Sequence, residues 1–232
     1  MADILHFFPA GKIIRRQVRY SMRLCAPKKS ILLSLIVILF FSCGPSPSGR
    51  DGSPIDVLEP PSLEKQEPGI VRVTKDGYDI TITQKAAYTV RGIVVGRENY
   101  QSGWNALISP ADVAMCWGKL AENGTYKRLK WSQGNRWYFW HAGNDFGYNN
   151  DFVAQHSSNN HLITATSNLT KAVKSLKEGD TVEMTGHLVD VAATKKSQNY
   201  RWNSSISTTD RGDGSCEIIY LTHLKVHGKI YQ

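Results

Sequence analysis

The chain has 232 residues, of which 41% are hydrophobic and 10% aromatic, and its formal net charge is +8 at neutral pH. This composition excludes a wholly disordered chain, a collagen and a membrane protein with many spans. The length suits one ordinary domain with additional segments.

The positive charge is concentrated at the N-terminus. Residues 1–42 carry seven basic side chains and one acid, which gives +6, whereas residues 43–232 together carry only +2. The nearly neutral remainder has no broad basic pattern of the kind that binds DNA or RNA. The charge therefore argues against nucleic acid as a partner.

The N-terminal segment has the design of a bacterial export signal. An apolar run at 31–41 follows Lys28 and Lys29, and it is too short to cross a bilayer comfortably. The small residue Ser42 and then Cys43 follow the run, and this ending resembles the lipobox of bacterial lipoproteins, in which the cysteine is acylated. Phe40–Phe41 departs from the usual Leu and small residue. We expect a membrane-anchored envelope protein, at the periplasmic face or the outer membrane; an uncleaved anchor or a soluble periplasmic protein is the alternative.

Four segments follow from these patterns. A leader of normal design begins at Met22, so residues 1–21 are interpreted as a mis-annotated or accessory extension and 22–42 as the lipoprotein signal peptide. Residues 43–68 contain six prolines and are predicted to be an extended tether. Residues 69–232 are long enough to bury a core and are predicted to form a β-rich globular domain.

Strand patterns dominate the predicted domain. The predicted strands are 79–83, 88–95, 136–140, 181–191, 199–206 and 216–226. Gly92 lies inside the second of them, which predicts a bulge or a close backbone approach.

Two helices have sequence signals. Ser109 and Pro110 favour a helix start and predict a helix over 109–117, and an apolar stripe predicts another over 168–177. The alternation around Gly186 resembles a strand common in OB-type barrels, where glycine lets the strand bend. We predict a mainly antiparallel β or α+β domain, an OB-like β-barrel with one or two short helices; a β-sandwich is the alternative.

Four motifs carry a family resemblance. They are SPADxAxxWG at 109–118, SQxxRWYxW at 132–140, HSxNxHLI at 156–163 and GxGxCE at 212–217. Together they resemble a family of uncharacterised, membrane-anchored bacterial envelope proteins. The chain departs from the family at Cys116, where Gly is more usual, and at Thr208, where a basic residue is common. The resemblance implies an envelope protein and no assigned activity.

The candidate catalytic residues are His156, His161 and Asp210. The two histidines are five residues apart with Ser and Asn between them, which does not fit the helical spacing of zinc proteases. In an irregular loop they could converge on a metal or act in catalysis. Alternatively, the loop is structural and its polar side chains satisfy backbone groups. No metal site and no cofactor are predicted.

Consecutive aromatic residues provide the candidate binding surface. In a strand, Tyr138 and Trp140 face one side with Arg136, and Trp137 and Phe139 face the other. One set packs in the core, and the second either packs as well or forms an aromatic platform for a ligand. The candidate binding residues are Arg136, Tyr138, Trp140 and Trp202.

These observations predict a lipid-anchored protein whose β domain binds an unknown small ligand or envelope protein without catalysis. The alternative is an envelope hydrolase or metal-binding protein that uses the 156–161 loop. Cys116 and Cys216 lie in apolar segments that suit buried thiols, so we predict that they are not bridged. A disulfide between them is the alternative in an oxidising compartment.

Overall fold

The structure is a computed structural model that describes residues 44–206 and 216–232. Its strands are β1 (Gly49–Arg50), β2 (Ser62–Lys65), β3 (Ile70–Lys75), β4 (Tyr78–Asn99), β5 (Ala111–Cys116), β6 (Leu129–Gly134), β7 (Trp137–Ala142), β8 (Ser157–Thr164), β9 (Thr181–Lys195), β10 (Gln198–Asn203), β11 (Glu217–Val226) and β12 (Lys229–Tyr231). Its α-helices are α1 (Gly118–Ala121), α2 (Asn150–Gln155) and α3 (Ser167–Ser175). None of the helices in this part of the chain has the length and apolar character needed to span a bilayer.

Five strands form the centre of the domain, and each of them pairs with two of the others. β4 lies between β5 and β9, β8 pairs with β5 and β11, and β11 also pairs with β9. The β8–β11 pairing is parallel and the other four are antiparallel. The predicted mainly β class is confirmed, and the structure shows a large mixed sheet and few short helices.

The other strands extend this centre. β2 and β3 pair with β4, β10 pairs with β9, β12 pairs with β11, and β1 pairs with β12. β6 and β7 form a separate two-stranded hairpin. The strands and helices pack around three clusters of buried apolar side chains, and one of these clusters contains residues from the inward faces of β4, β5, β9 and β11.

The long strand β4 contains both strands predicted at 79–83 and 88–95. A register shift between Gln84 and Ala86 separates its two parts. A Cβ atom on Gly92 would lie 2.5 Å from the carbonyl oxygen of Cys116, so the predicted close approach at this glycine is confirmed. The predicted alternation of β9 is also confirmed, because Val182 and Met184 are fully buried between half-buried neighbours.

The helix predicted at 109–117 is wrong, because 111–116 forms strand β5. All six residues of β5 are buried, and the strand lies between β4 and β8. Ala111, Val113 and Met115 point into one apolar cluster, while Ala114 and Cys116 point into another. Since both faces of β5 are covered, its sequence lacks the polar alternation of a half-exposed strand.

The second predicted helix is confirmed as α3. Its N-cap Thr166 accepts a hydrogen bond from the backbone N–H of Leu169, and Leu169, Ala172 and Val173 are buried. Of the residues expected to form a loop at 156–161, His156 is the C-cap residue of helix α2 and residues 157–161 begin strand β8, whose residues 157–163 are all buried. The prediction of a loop was wrong because the Ser and Asn side chains at 157–160 form hydrogen bonds inside the domain.

The Pro-rich segment, expected to be a tether, contributes two short strands to the sheet. β1 pairs with β12, and β2 pairs with β4. Asp51 forms an ion pair with the buried Lys225, and Glu59 lies 2.9 Å from Arg91. The described part of this segment, residues 44–68, therefore lies along the surface of the domain.

Candidate ligand-binding site

Strands β5 and β8 bring an acid and a histidine side by side. Asp112 and His161 occupy directly paired positions, and their side chains are 0% and 2% exposed. Oδ2 of Asp112 lies 2.9 Å from Nδ1 of His161, although the two groups lack the alignment of a hydrogen bond. A buried carboxylate of this kind requires a compensating charge.

That charge comes from Arg136 at the tip of the β6–β7 hairpin. Nη1 of Arg136 lies 2.6 Å from Oδ1 of Asp112, and Nη2 donates to the carbonyl oxygen of Ser109 at 2.9 Å. The backbone carbonyl of Arg136 accepts a hydrogen bond from Asn159 on β8. These bonds fasten the hairpin across the outer face of β5 and β8.

The hairpin tip has a backbone conformation that normally selects glycine. Asn135 and Arg136 form the two-residue connection, with φ angles of 53° and 70°. Such a turn prefers Asn followed by Gly, and a side chain with positive φ costs about 1–3 kcal/mol. Arg136 therefore occupies a strained position, which its interactions with Asp112 and Ser109 maintain. Arg136 was predicted to begin a strand over 136–140, but it lies in this turn and the strand begins at Trp137.

Aromatic rings surround the charged pair. The guanidinium carbon of Arg136 lies 3.8 Å from the ring centre of Tyr100 and 5.3 Å from that of Trp202. The ring of His161 lies 4.9 Å from Trp202, and Trp104 lies 6.3 Å from Trp202. The site, comprising Tyr100, Trp104, Asp112, Arg136, His161 and Trp202, thus combines a charged centre with aromatic faces.

Tyr100 is uncharged at neutral pH. Burial and the nearby carboxylate of Asp112 raise the pKa of its hydroxyl to about 12. The hydroxyl oxygen accepts a hydrogen bond from the backbone N–H of Arg136 at 2.9 Å. Tyr100 therefore borders the site as an uncharged side chain, and its hydrogen bond helps to hold the hairpin tip in place.

The structure divides the four candidate binding residues into two pairs. Arg136 and Trp202 belong to the site described above. Tyr138 and Trp140 lie on the inner face of the hairpin, where they contact Trp131 at centroid distances of 6.4 Å. The exposed aromatics of the hairpin are Trp137 and Phe139, at 39% and 54%. The predicted opposite orientation of the two aromatic pairs is confirmed.

The two candidate catalytic histidines do not converge. Nδ1 of His156 lies 2.8 Å from the carbonyl oxygen of Phe152, and its ring packs on the Phe152 ring. His161 lies further along β8 against Asp112. Within residues 44–206 and 216–232, no hydroxyl or thiol is hydrogen-bonded to the His161 ring, and no group of three acidic, His or Cys side chains could hold a metal. Asp210 and Cys43 lie outside the described residues.

The two cysteines of the domain are not joined by a disulfide. Cys116 is fully buried in β5, and burial raises the pKa of its thiol to about 12. This thiol is therefore protonated and inert at neutral pH.

Sequence reasoning missed three residues of the site. Tyr100 and Trp104 lie in the connection between β4 and β5, and Asp112 lies in a strand that was predicted to be a helix. The sequence feature that could have identified Asp112 is its position as an acid inside an apolar run, because a buried acid requires a partner.

Comparison of the chain with protein-family models, with curated proteins and with solved structures gave no significant match.

Proposed function

We propose that the protein is a lipid-anchored envelope protein whose β domain binds an envelope glycan without catalysing a reaction. The anchor is inferred from the leader sequence alone, in which an apolar run at 31–41 is followed by Ser42 and Cys43. An exported domain meets glycans and other envelope proteins rather than nucleic acid, and residues 43–232 carry a net charge of only +2.

The proposed domain type is an OB-like, partly open barrel. Its support is the order of pairing among β4, β5, β8, β9 and β11, together with the position of α3 between β8 and β9. OB domains are five-stranded Greek-key barrels that bind ligands on the face of their second and third strands, between the loop after the first strand and the loop after the fourth. The same pairing order argues against the β-sandwich alternative.

The location of the Arg136 site is the observation that carries the proposal. In an OB-like domain, β5 and β8 are the second and third strands, and they provide Asp112 and His161. The connection after β4 provides Tyr100 and Trp104, and the connection after β9 contains β10 with Trp202. The site thus combines contributions from all the elements that OB domains use for binding.

The chemistry of the site favours a sugar. Rings of Trp and Tyr offer flat apolar faces, and the guanidinium of Arg136, which is partly exposed, offers N–H donors that sugar hydroxyls can match. The guanidinium of Arg136 is already neutralised by Asp112, so a highly anionic polymer gains little from it. No described contact favours the hydrolase alternative, since His156 and His161 are held apart.

Binding to Trp202 gives a direct test. A chain that begins at Gly44 is titrated calorimetrically with soluble peptidoglycan fragments and envelope oligosaccharides. We expect Trp202→Ala to weaken binding at least about tenfold, which corresponds to about 1.4 kcal/mol. The matched variant Trp137→Ala removes an exposed tryptophan elsewhere and should bind like the parent. Equal effects of the two variants, or no binding of any glycan, would contradict the proposal.

A further inference from the structure

A second concave surface lies beside the Arg136 site and has a different chemistry. This groove, of about 460 Å³, is bounded by β3, by residues 106–110 and by one side of α3. Ile108 and Pro110 line it, while Ser109 between them bonds Arg136 in the neighbouring site. Its volume falls in the range of about 300–1,000 Å³ typical of small-molecule pockets.

The floor of the groove is apolar. Ile82 and Ile163 are buried in the cluster beneath it, and Val71 and Tyr220 are partly buried against the same cluster. A ligand therefore needs an extended apolar part to displace water from this surface.

The charged residues among those lining the groove are two lysines, Lys75 and Lys174. Nζ of Lys75 donates to the carbonyl oxygen of Leu107 at 2.9 Å, which leaves two of its N–H groups available. Neither lysine has a carboxylate partner among the described residues. A groove with an apolar floor and two cations that lack carboxylate partners complements a ligand that is apolar along its length and anionic at its head.

We propose that this groove binds a single-chain anionic amphiphile, such as a fatty acid or a lysophospholipid. The acyl chain would lie on the floor formed by Ile82, Ile163 and Tyr220, and the anionic head would contact Lys75 and Lys174. This site goes beyond the proposed function, because it depends neither on acylation of Cys43 nor on glycan binding at Trp202.

The test uses a chain that begins at Gly44, because the three apolar clusters lie entirely after that residue. Binding of oleate, of lysophosphatidylglycerol and of oleyl alcohol is measured by calorimetry below their aggregation concentrations. We expect at least one of the two anions to bind with 1:1 stoichiometry, and oleyl alcohol to bind at least about tenfold more weakly than the tighter anion. The tighter of the two anions distinguishes a free fatty acid from a phospholipid as the source.

Charge reversal locates the binding. The double variant Lys75→Glu/Lys174→Glu removes no core side chain and should weaken anion binding at least about tenfold. The matched double variant Arg72→Glu/Lys177→Glu makes the same change in net charge at exposed positions outside the groove and should bind like the parent. The proposal is overturned if neither anion binds, if the alcohol binds as tightly as the anions, or if the two double variants behave alike.

Discussion

Arg136 and Asp112 join the tip of a surface hairpin to the buried central strand β5. Nη1 of Arg136 lies 2.6 Å from Oδ1 of Asp112, and the Asp112 side chain is completely buried. The arginine lies in a turn position with a φ angle of 70°, where glycine would be relaxed. The same ion pair therefore holds the hairpin in place and fixes the charged centre of the candidate site.

A double-mutant cycle measures this coupling. Arg136→Met leaves the carboxylate of Asp112 buried without its partner, so we expect a loss of about 3–5 kcal/mol in the free energy of unfolding. Asp112→Asn removes the charge that Arg136 neutralises, and the double variant should lose less than the sum of the two single losses. Urea unfolding of the four proteins provides the values. Strictly additive losses would show that the two side chains do not stabilise each other.

Gly186 allows β9 and β11 to approach closely. A Cβ atom at this position would lie 2.1 Å from the carbonyl oxygen of Tyr220, which belongs to the backbone of β11 and cannot move aside easily. We expect Gly186→Ala to destabilise the domain by about 1–3 kcal/mol through overpacking, and Gly186→Val to destabilise it at least as much. Thermal unfolding measures the effect.

The control for this glycine is Gly134→Ala. A Cβ atom at Gly134 meets no atom within 4 Å, so this variant should unfold like the parent. If the alanine variants at positions 186 and 134 had equal melting temperatures, the close approach of β9 and β11 would be refuted.

The sequence predicts correctly those elements in which the buried residues follow the regular spacing of a strand or a helix. β9 keeps a buried residue at every second position from Val182 to Leu188, and α3 keeps an apolar stripe with a polar N-cap, so both were predicted close to their observed bounds. β5 was missed because the local helix-start signal of Ser109 and Pro110 is outweighed by pairing with two neighbouring strands.

β8 was missed for a different physical reason. Its polar residues look like a loop, but they are buried and bonded to distant parts of the chain. Asn159 accepts a hydrogen bond from Gln133 of the hairpin, and Asn160 donates to the carbonyl oxygen of Val113. Only the tertiary structure brings these partners together, and the same is true of Arg136 and Asp112 in the candidate site.

The Pro-rich segment contributes a pH-dependent contact. The hydrogen bond from Lys225, with smaller contributions from Ser53, lowers the pKa of Asp51 to about 2. Because the carboxyl is more acidic when folded than when unfolded, where its pKa is about 3.9, its contribution to stability is complete above that value. This contribution is lost as the pH falls from about 4 to about 2.

Asp51→Asn tests this contact. We expect the variant to be less stable than the parent at pH 7 and the difference to disappear as the pH approaches 2. Denaturant unfolding at a series of pH values measures both proteins, and Asp76→Asn, at an exposed turn residue, serves as the control. A difference that stays constant from pH 7 to pH 2 would contradict the assigned pKa shift.

The lipid anchor is testable in cells. Cys43→Ala should abolish incorporation of a fatty-acid analogue and release the protein from the lipid-bearing membrane fraction, because the cysteine is the predicted acylation site. A chain that starts at Met22 should be exported and processed like the full chain. Labelling that persists in Cys43→Ala would exclude the lipoprotein assignment, and loss of export on deletion of 1–21 would show that this extension is functional.

The most direct test of glycan binding at the Arg136 site is a titration followed through the indole N–H signals of the six tryptophans. Peptidoglycan fragments and envelope oligosaccharides are added to an isotopically labelled chain that begins at Gly44, and the signals are assigned by single substitutions. The account predicts concentration-dependent shifts of Trp202 and Trp104, with Trp117 and Trp137 unchanged. Shifts confined to Trp137 on the exposed face of the hairpin, or no shift of any indole signal, would contradict it.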